Sequence, residues 1–192
     1  MNKAVDTRTQ IIDRASELMM QRGFNGFSYS DISTPLGVKN AAIHYHFPSK
    51  SDLIRALVEE HHETLRHKTS RFMAHGGPAR EQLEGLFCFT LEQCRAGRPV
   101  CVVGALAADY DELPQDVHRA NERFMEDTRK WMTRVLELGR EQGEFSFAGD
   151  AQGKAFGILA AMQGGRQLYR IYGEAYLQRL FAQIRLELGI QA

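Results

Sequence analysis

The stretch that decides the fold is GVKNAAIHYHFPSK, Gly37 to Lys50. It sets His44, Tyr45 and His46 side by side and then stops on Phe47, Pro48, Ser49 and Lys50. A metal site, a catalytic pair and a nucleic-acid contact surface compete to explain it. His44 and His46 are two residues apart, so on a helix they point roughly 200° from each other and cannot grip one ion. Downstream, His62 and His67 in HETLRH lie five apart, about 500° of helical turn. A zinc-protease box needs histidines four apart on one face. No Gly-x-Ser-x-Gly elbow, phosphate loop or carboxylate pair stands out. Gly76-Gly77 and Gly164-Gly165 lack the strand–glycine–helix setting of a phosphate cradle. The chain is therefore read as a non-enzyme with no metal and no cofactor.

Nucleic acid remains. Ile32, Leu36, Val38 and Ile43 can hold two short helices together across a tight turn at Gly37, the helix-turn-helix layout. A helix fits the major groove and its first residues reach base edges. Lys39 and Asn40 stand there, with small Ala41 and Ala42 behind them to let the backbone approach. Lysine suits the guanine O6/N7 edge and asparagine the adenine N6/N7 edge. His44, Tyr45 and Lys50 flank the groove, where each can donate to a phosphate and position the protein without reading sequence.

The surrounding sequence is helical throughout, with apolar residues at a period of 3.6 and no clean alternation for a strand. Thr7-x-x-Gln10 reads as a capping box opening a first helix with Ile11, Ala15, Leu18 and Met19 on one face; Gly23 ends it. Ser28-x-x-Asp31 opens a second helix, ending near Pro35, Leu36 and Gly37. The third runs from about Lys39 to His46, where Pro48 halts it. Ser49-x-x-Asp52 caps a long fourth helix whose stripe is Leu53, Ile54, Leu57, Val58, His61 and Leu65, ending at Gly76-Gly77. Pro78 starts a fifth with Leu83, Leu86, Phe87, Thr90, Leu91 and Cys94 inward. A sixth spans about Val102 to Tyr110. Pro114 opens a seventh, with Val117, Phe124, Met125, Thr128, Met132, Val135 and Leu136 inward. EQGEFSFAGD is a loop, an eighth helix spans about Ala151 to Tyr172, and a ninth carries Leu177, Leu180, Phe181, Ile184 and Leu188. The fold class is all-α: a three-helix, homeodomain-like head at 1–50 and a larger helical domain at 51–192, about nine helices in all.

Composition agrees with a globular chain of 192 residues, 43% apolar and 25% charged, with 24 Lys/Arg against 24 Asp/Glu. Residues 1–50 carry six Lys/Arg against four acids and residues 51–192 carry 18 against 20. The mild positive bias permits an anionic partner at the head without requiring one. The longest apolar run, Val100 to Ala108, is far short of a membrane span. No apolar signal region opens the chain, so a cytoplasmic place is expected. Cys88, Cys94 and Cys101, three cysteines, exclude a fully paired disulfide framework and read as buried thiols.

The segment RGFNGFSYSDISTPLGVKNAAIHYHFPSKSDL, Arg22 to Leu53, resembles the DNA-binding region of TetR-family transcriptional regulators. Gly23-Phe24, Asp31-Ile32, Gly37-Val38, His46-Phe47 and Ser49-Lys50 sit where that pattern expects them, without gaps over about the first 60 residues. The resemblance implies a homodimer on a palindromic double-stranded DNA operator, usually a repressor, released when a small molecule binds the larger domain. By position it implies DNA contacts at Ser28, Lys39, Asn40, Ala42, His44, Tyr45 and Lys50. This chain departs from the pattern at His44, usually Tyr, and at Ala41 and Ala42, usually Ser, Thr or Gly. Pro35 is also unusual and is expected to shorten the second helix.

Small residues Ala151, Ala155, Gly157, Ala160, Ala161, Gly164 and Gly165 mark the eighth helix. Glycine inside a helix costs about 1 kcal/mol relative to alanine, so close helix approach should offset it. In the family, helices eight and nine form the dimer, here about 151–172 and 174–188. An effector pocket would lie among helices four to eight, its inward candidates being His61, Phe87, Cys94, Leu106, Tyr110, Phe124, Thr128, Trp131 and Gln167. That composition suits a moderately apolar ligand. Two alternatives stand beside this reading. Cys94 and Cys101 straddle the turn between helices five and six, with Arg95 and Arg98 near enough to favour a thiolate, as in a redox-sensing repressor. A helical small-molecule carrier that binds no DNA is the other.

Overall fold

The computed structural model describes residues 6–74 and 77–190, by backbone alone for 71–74. Nine α-helices and no strand appear among these residues: α1 (Thr7–Arg22), α2 (Tyr29–Leu36), α3 (Asn40–His46), α4 (Lys50–Ala74), α5 (Ala79–Arg95), α6 (Val102–Ala108), α7 (Gln115–Glu141), α8 (Ala151–Tyr172) and α9 (Glu174–Glu187). A 3₁₀ turn, Tyr110–Glu112, follows α6. The chain divides into two compact units, Met1–Thr64 with Val102–Phe124, and Leu65–Cys101 with Met125–Ala192. Two of the three divisions fall inside α4 and α7 and the third just ahead of α6.

The first unit is built around the apolar faces of its short helices. Ile11, Ala15, Leu18 and Met19 of α1, Ile32 of α2, Ile43 of α3 and Leu53, Ile54, Leu57 and Val58 of α4 are fully buried. Each such side chain contributes about 1.5–3 kcal/mol by leaving water. Val102, Val103 and Leu106 of α6 are buried too, and α6 meets α1. Behind α1, Gly23 takes a left-handed φ of 76°, and the Phe24 N–H donates to Asp109 Oδ2 at 2.6 Å. A Cβ at Gly23 would stand 2.6 Å from that same carboxylate oxygen.

The caps follow the sequence with one exception. Ser28 N–H and Oγ both donate to Asp31 Oδ2, at 2.8 and 2.7 Å, a closed capping box. Ser49 and Asp52 repeat it at 3.1 and 2.7 Å. The Thr7–Gln10 box does not form: α1 begins one residue earlier in register, on Asp6, with no side-chain cap bond. Pro35 does not cut α2 short of Leu36. Pro35 forgoes the N–H bond to the Asp31 carbonyl four residues back, and the helix ends one residue later. The sixth helix is shorter than expected, since the backbone tightens into the 3₁₀ turn after Ala108. Gly76, the expected end of the fourth helix, lies outside the described residues.

In the second unit Leu83, Phe87 and Cys94 of α5, Met132, Val135 and Leu136 of α7, Ala155, Ile158 and Met162 of α8, and Leu177, Phe181, Ile184 and Leu188 of α9 form one core. Phe87 stacks on Phe181 at 4.4 Å. Helices α8 and α9 meet at Gly165, where an added Cβ would lie 2.3 Å from Leu180 Cδ2. Some expectations of burial fail. His61 is exposed on α4, Met125 is 45% exposed on α7, and Cys88 is exposed on α5. Each sits at the margin of its stripe, where a period of 3.6 does not separate core from rim.

Candidate nucleic-acid interface

The turn between α2 and α3 is fixed by backbone bonding. Gly37 adopts the left-handed conformation at φ 66°. Its N–H reaches Thr34 O at 3.2 Å, and the Val38 N–H reaches Ser33 O at 3.1 Å. These are the two bonds of a Schellman motif, which needs glycine at the left-handed position. Ile32, Ile43 and Phe47 are buried beneath it. The corner is thus held from below, and the outer face of α3 is left to solvent.

Lys39, Asn40, His44 and Ser28 are exposed, Ala42 is half-buried, and the Tyr45 ring is 83% exposed. The neighbours constrain the rest. His44 Nδ1 lies 3.2 Å from Pro48 O, and its ring meets Tyr29 edge-on at 4.8 Å. The Tyr29 hydroxyl donates to Phe47 O at 2.9 Å, and burial pushes its pKa up to about 12. Asn40 Oδ1 accepts from Ser33 Oγ at 2.6 Å, and Asn40 Nδ2 lies 3.4 Å from Ser30 Oγ. The Ser28 hydroxyl is engaged by Asp31, whose carboxyl is held down to about 2 by the Ser28 hydroxyl and N–H and by Arg22.

Lys50 behaves differently from a free phosphate ligand. Its ammonium donates to Phe27 O and stands 4.1 Å from the Phe27 ring centre and 5.2 Å from that of Phe24. Burial lowers its pKa. The residues missed by sequence reasoning are those that hold the face from behind: Tyr29, Ser30 and Ser33. Ser33 is a buried polar residue at 6% exposure. Nothing in its spacing announces that it meets Asn40, seven residues on.

The effector candidates fall in both units. Within the first, Leu106 is fully buried, while Phe124 is half-buried and stacks on His62 at 5.2 Å. Tyr110 is exposed and donates to Glu122 at 2.7 Å; His61 Nε2 lies 3.3 Å from Ser16 Oγ. Within the second, Phe87 and Cys94 are core, Trp131 packs against that core, Thr128 is half-buried and Gln167 is exposed. His61, Tyr110 and Gln167 therefore depart from their expected inward positions. Two polar groups there were not anticipated: Gln82 is 1% exposed with neither carboxamide atom hydrogen-bonded, and the buried Trp131 Nε1 likewise lacks a partner.

Burial raises the Cys94 thiol pKa, against the pull of Arg166. Arg95, expected to favour a thiolate, instead holds Glu174 at 2.8 Å. Cys101 is half-buried, with Sγ 3.4 Å from Gln163 Oε1. Among the described residues no three His, Cys, Asp or Glu side chains gather as a metal site, and no helix is long and apolar enough to cross a membrane.

Helices α8 and α9 bear an apolar outer surface. Phe156, Ile171 and Tyr172 of α8 and Leu186 of α9 are between 56% and 71% exposed. Gly157 and Gly164 are exposed, and a Cβ at either would meet no atom within 4 Å. A groove of ≈ 390 Å³ runs beside them, lined by Gly153, Gly157 and Ala161 of α8 and by Leu180, Gln183 and Ile184 of α9 among others.

Comparison with known proteins matches two family models in the chain. Residues 11–57 match that of bacterial regulatory proteins, tetR family, and residues 88–184 match the tetracyclin repressor-like C-terminal domain. The HTH-type transcriptional repressor NemR of Escherichia coli K12 is 26% identical over 169 residues, 85% of each chain. The HTH-type transcriptional repressor KstR2 of Rhodococcus jostii RHA1 is 30% identical over 145 residues, 72% of this chain and 67% of that one. Among solved structures, a TetR-family regulator from Agrobacterium tumefaciens superposes with a TM-score of 0.88 at 30% identity, over 96% of this chain and 97% of that one. Reduced E. coli NemR superposes at 0.81 with 23% identity, over 97% of this chain and all of that one, a likeness of fold.

Proposed function

The chain belongs to the TetR family of ligand-responsive, DNA-binding transcriptional regulators, and from that premise we propose that it is a homodimeric repressor that grips a palindromic operator through α3 and lets go when a small, moderately apolar molecule binds. The observation that carries this reading is the outer face of α3. Lys39, Asn40, His44 and Tyr45 stand exposed on a helix whose inner face is buried and whose entry turn is pinned at Gly37. Head 1–50 reads the DNA, and 51–192 binds the effector and the second copy. Lys39 reaches base edges, Tyr45 and His44 meet phosphates and Ala42 lets the backbone close in; Ser28, whose hydroxyl and N–H both donate to Asp31, would meet a phosphate only if that box opened. Lys50 steadies Phe27 from within and offers its charge at the rim.

The second copy sits on α8 and α9. Exposed Phe156, Ile171, Tyr172 and Leu186 are the apolar surface that self-association would cover, and open Gly157 and Gly164 allow close approach. Two-fold symmetry then places two heads roughly 34–36 Å apart, one helical turn of DNA. Within the second unit the effector would enter among Phe87, Cys94, Thr128 and Trp131. Gln82 joins them, and its carboxamide and the Trp131 Nε1 are polar groups a ligand would satisfy, since buried polar atoms rarely stay unpaired. Helix α4 carries residues of both units, and a tilt of it would shift the heads out of half-site register. Release requires that ligand bind the two states unequally. The site is taken to work in the cytoplasm, where its DNA is.

A thiol-sensing mode is disfavoured at Cys94, because burial holds the thiol protonated and the thiolate is the reactive form. The deciding experiment is binding to duplex fragments selected from genomic DNA, measured against salt. Log affinity should fall steeply and linearly with log salt as several phosphates are neutralised. A folded dimer that binds no duplex at low salt leaves the carrier reading in its place.

A further inference from the structure

Asn40 is the residue whose type invites an adenine assignment, and its surroundings argue otherwise. Reading adenine takes both ends of the carboxamide: Oδ1 accepts from N6–H while Nδ2 donates to N7. Here the Ser33 hydroxyl of α2 reaches Asn40 at 2.6 Å. That separation belongs to O–H···O bonding and is short for N–H···O, so the oxygen faces Ser33. Ser33 is 6% exposed, and its hydroxyl has one hydrogen to give, which satisfies a buried donor. On the other side Asn40 Nδ2 is 3.4 Å from Ser30 Oγ, a long contact. An amide nitrogen has two hydrogens, so donor capacity remains on the exposed Asn40; its oxygen keeps a second lone pair, but the bond from Ser33 turns that oxygen toward α2, and a bidentate adenine contact would need it turned back to the groove.

Resting on the DNA-binding role proposed above, we infer that Ser33 turns Asn40 into a donor-only contact, which meets an acceptor on the duplex and gives adenine no advantage over guanine. The acceptor is a guanine O6/N7 edge or a phosphate oxygen. Ser33 is thus a specificity-determining residue that never touches DNA: releasing it returns Oδ1 to the groove and creates an adenine preference.

The test is selection of bound duplexes from a randomised half-site library at one salt concentration, using wild type, Asn40→Ala, Ser33→Ala and the double variant. Wild type should show no adenine preference that Asn40→Ala removes. Ser33→Ala should acquire adenine at one position per half-site by about fivefold or more, the lower end of discrimination by a bidentate pair, and the double variant should lose it. A salt slope shallower by about one in Asn40→Ala identifies a phosphate acceptor, and a lost guanine preference identifies the base edge; both support a donor-only Asn40. An adenine preference of wild type that disappears in Asn40→Ala overturns the inference, as does a Ser33→Ala selection identical to wild type. Should Ser33→Ala fail to fold, wild type against Asn40→Ala still decides, because Asn40 is exposed. A folded wild type that binds no duplex at all overturns the regulator reading and this inference together.

Discussion

Replacing Gly164 by leucine separates the protomer's stability from its self-association. Gly164 is exposed on α8, and a Cβ there meets no heavy atom within 4 Å. Within one protomer the substitution only improves helix propensity, by about 0.8 kcal/mol. In a dimer that uses this face for close approach, the same side chain is overpacked, at about 1–3 kcal/mol per site. Two-fold symmetry applies that twice, for about 2–6 kcal/mol, or a dissociation constant raised about 30-fold to beyond 10⁴-fold. Sedimentation at micromolar protein should show monomers, while the far-UV helical signal persists and denaturant resistance of the monomer holds or rises. The neighbouring Gly165→Leu should instead unsettle the protomer itself, since its Cβ runs into Leu180. A Gly164→Leu protein that sediments as an unchanged dimer refutes the assignment of this face.

Three further outcomes are expected. Asp31 has its folded pKa depressed to about 2, so the cap it makes contributes stability above the unfolded carboxylate value near 4 and loses it as pH falls toward 2; acid unfolding of wild type and Asp31→Asn should therefore converge at the low end, and parallel curves would contradict it. Tyr29 has its folded pKa raised to about 12, so the stability linked to its protonated form is complete below about 10 and declines as pH rises toward 12; the hydrogen bond to Glu122 raises Tyr110 as well, so ultraviolet titration should lose one of its late phenolates in Tyr29→Phe, whose lost bond to Phe47 O costs about 1 kcal/mol. Gly139→Ala places a Cβ 2.0 Å from the Phe145 ring and should lower the denaturant midpoint by the equivalent of about 1–3 kcal/mol, whereas an unchanged midpoint would show that the loop after α7 yields freely.

Helix number, order and most boundaries were legible because each rests on local chemistry. Ser28 with Asp31, Gly37 in its turn and Pro48 after His46 are signals that need no distant partner. What escaped was whatever depends on the neighbour across space. Thr7 sits in a capping pattern, yet Asp6 starts the helix. His61 falls on an apolar stripe, yet the stripe's edge is open to solvent. Lys50 was read as an outward charge because sequence shows its length and sign; that it lies over the rings of Phe24 and Phe27 is a matter of packing. Asn40 was legible as a candidate contact, but the orientation of its carboxamide was not, because Ser33 supplies it from another helix. The pocket was the least legible: an inward apolar side chain reads the same in a solid core and beside a ligand.

The contact between Gly23 and Asp109 bears on how such a chain can change over generations. A side chain at position 23 meets the carboxylate of residue 109 and would also sit on backbone at φ 76°, so shortening residue 109 removes only the first obstacle. Shortening it deprives the Phe24 N–H of its acceptor. Either step alone passes through a less stable ancestor, and both together still leave a side chain on left-handed backbone, so the two positions, far apart in the gene, are held as they are. A lineage carrying both residues is thereby steered to diversify elsewhere, on the open face of α3 and around the effector, where single steps carry no such penalty.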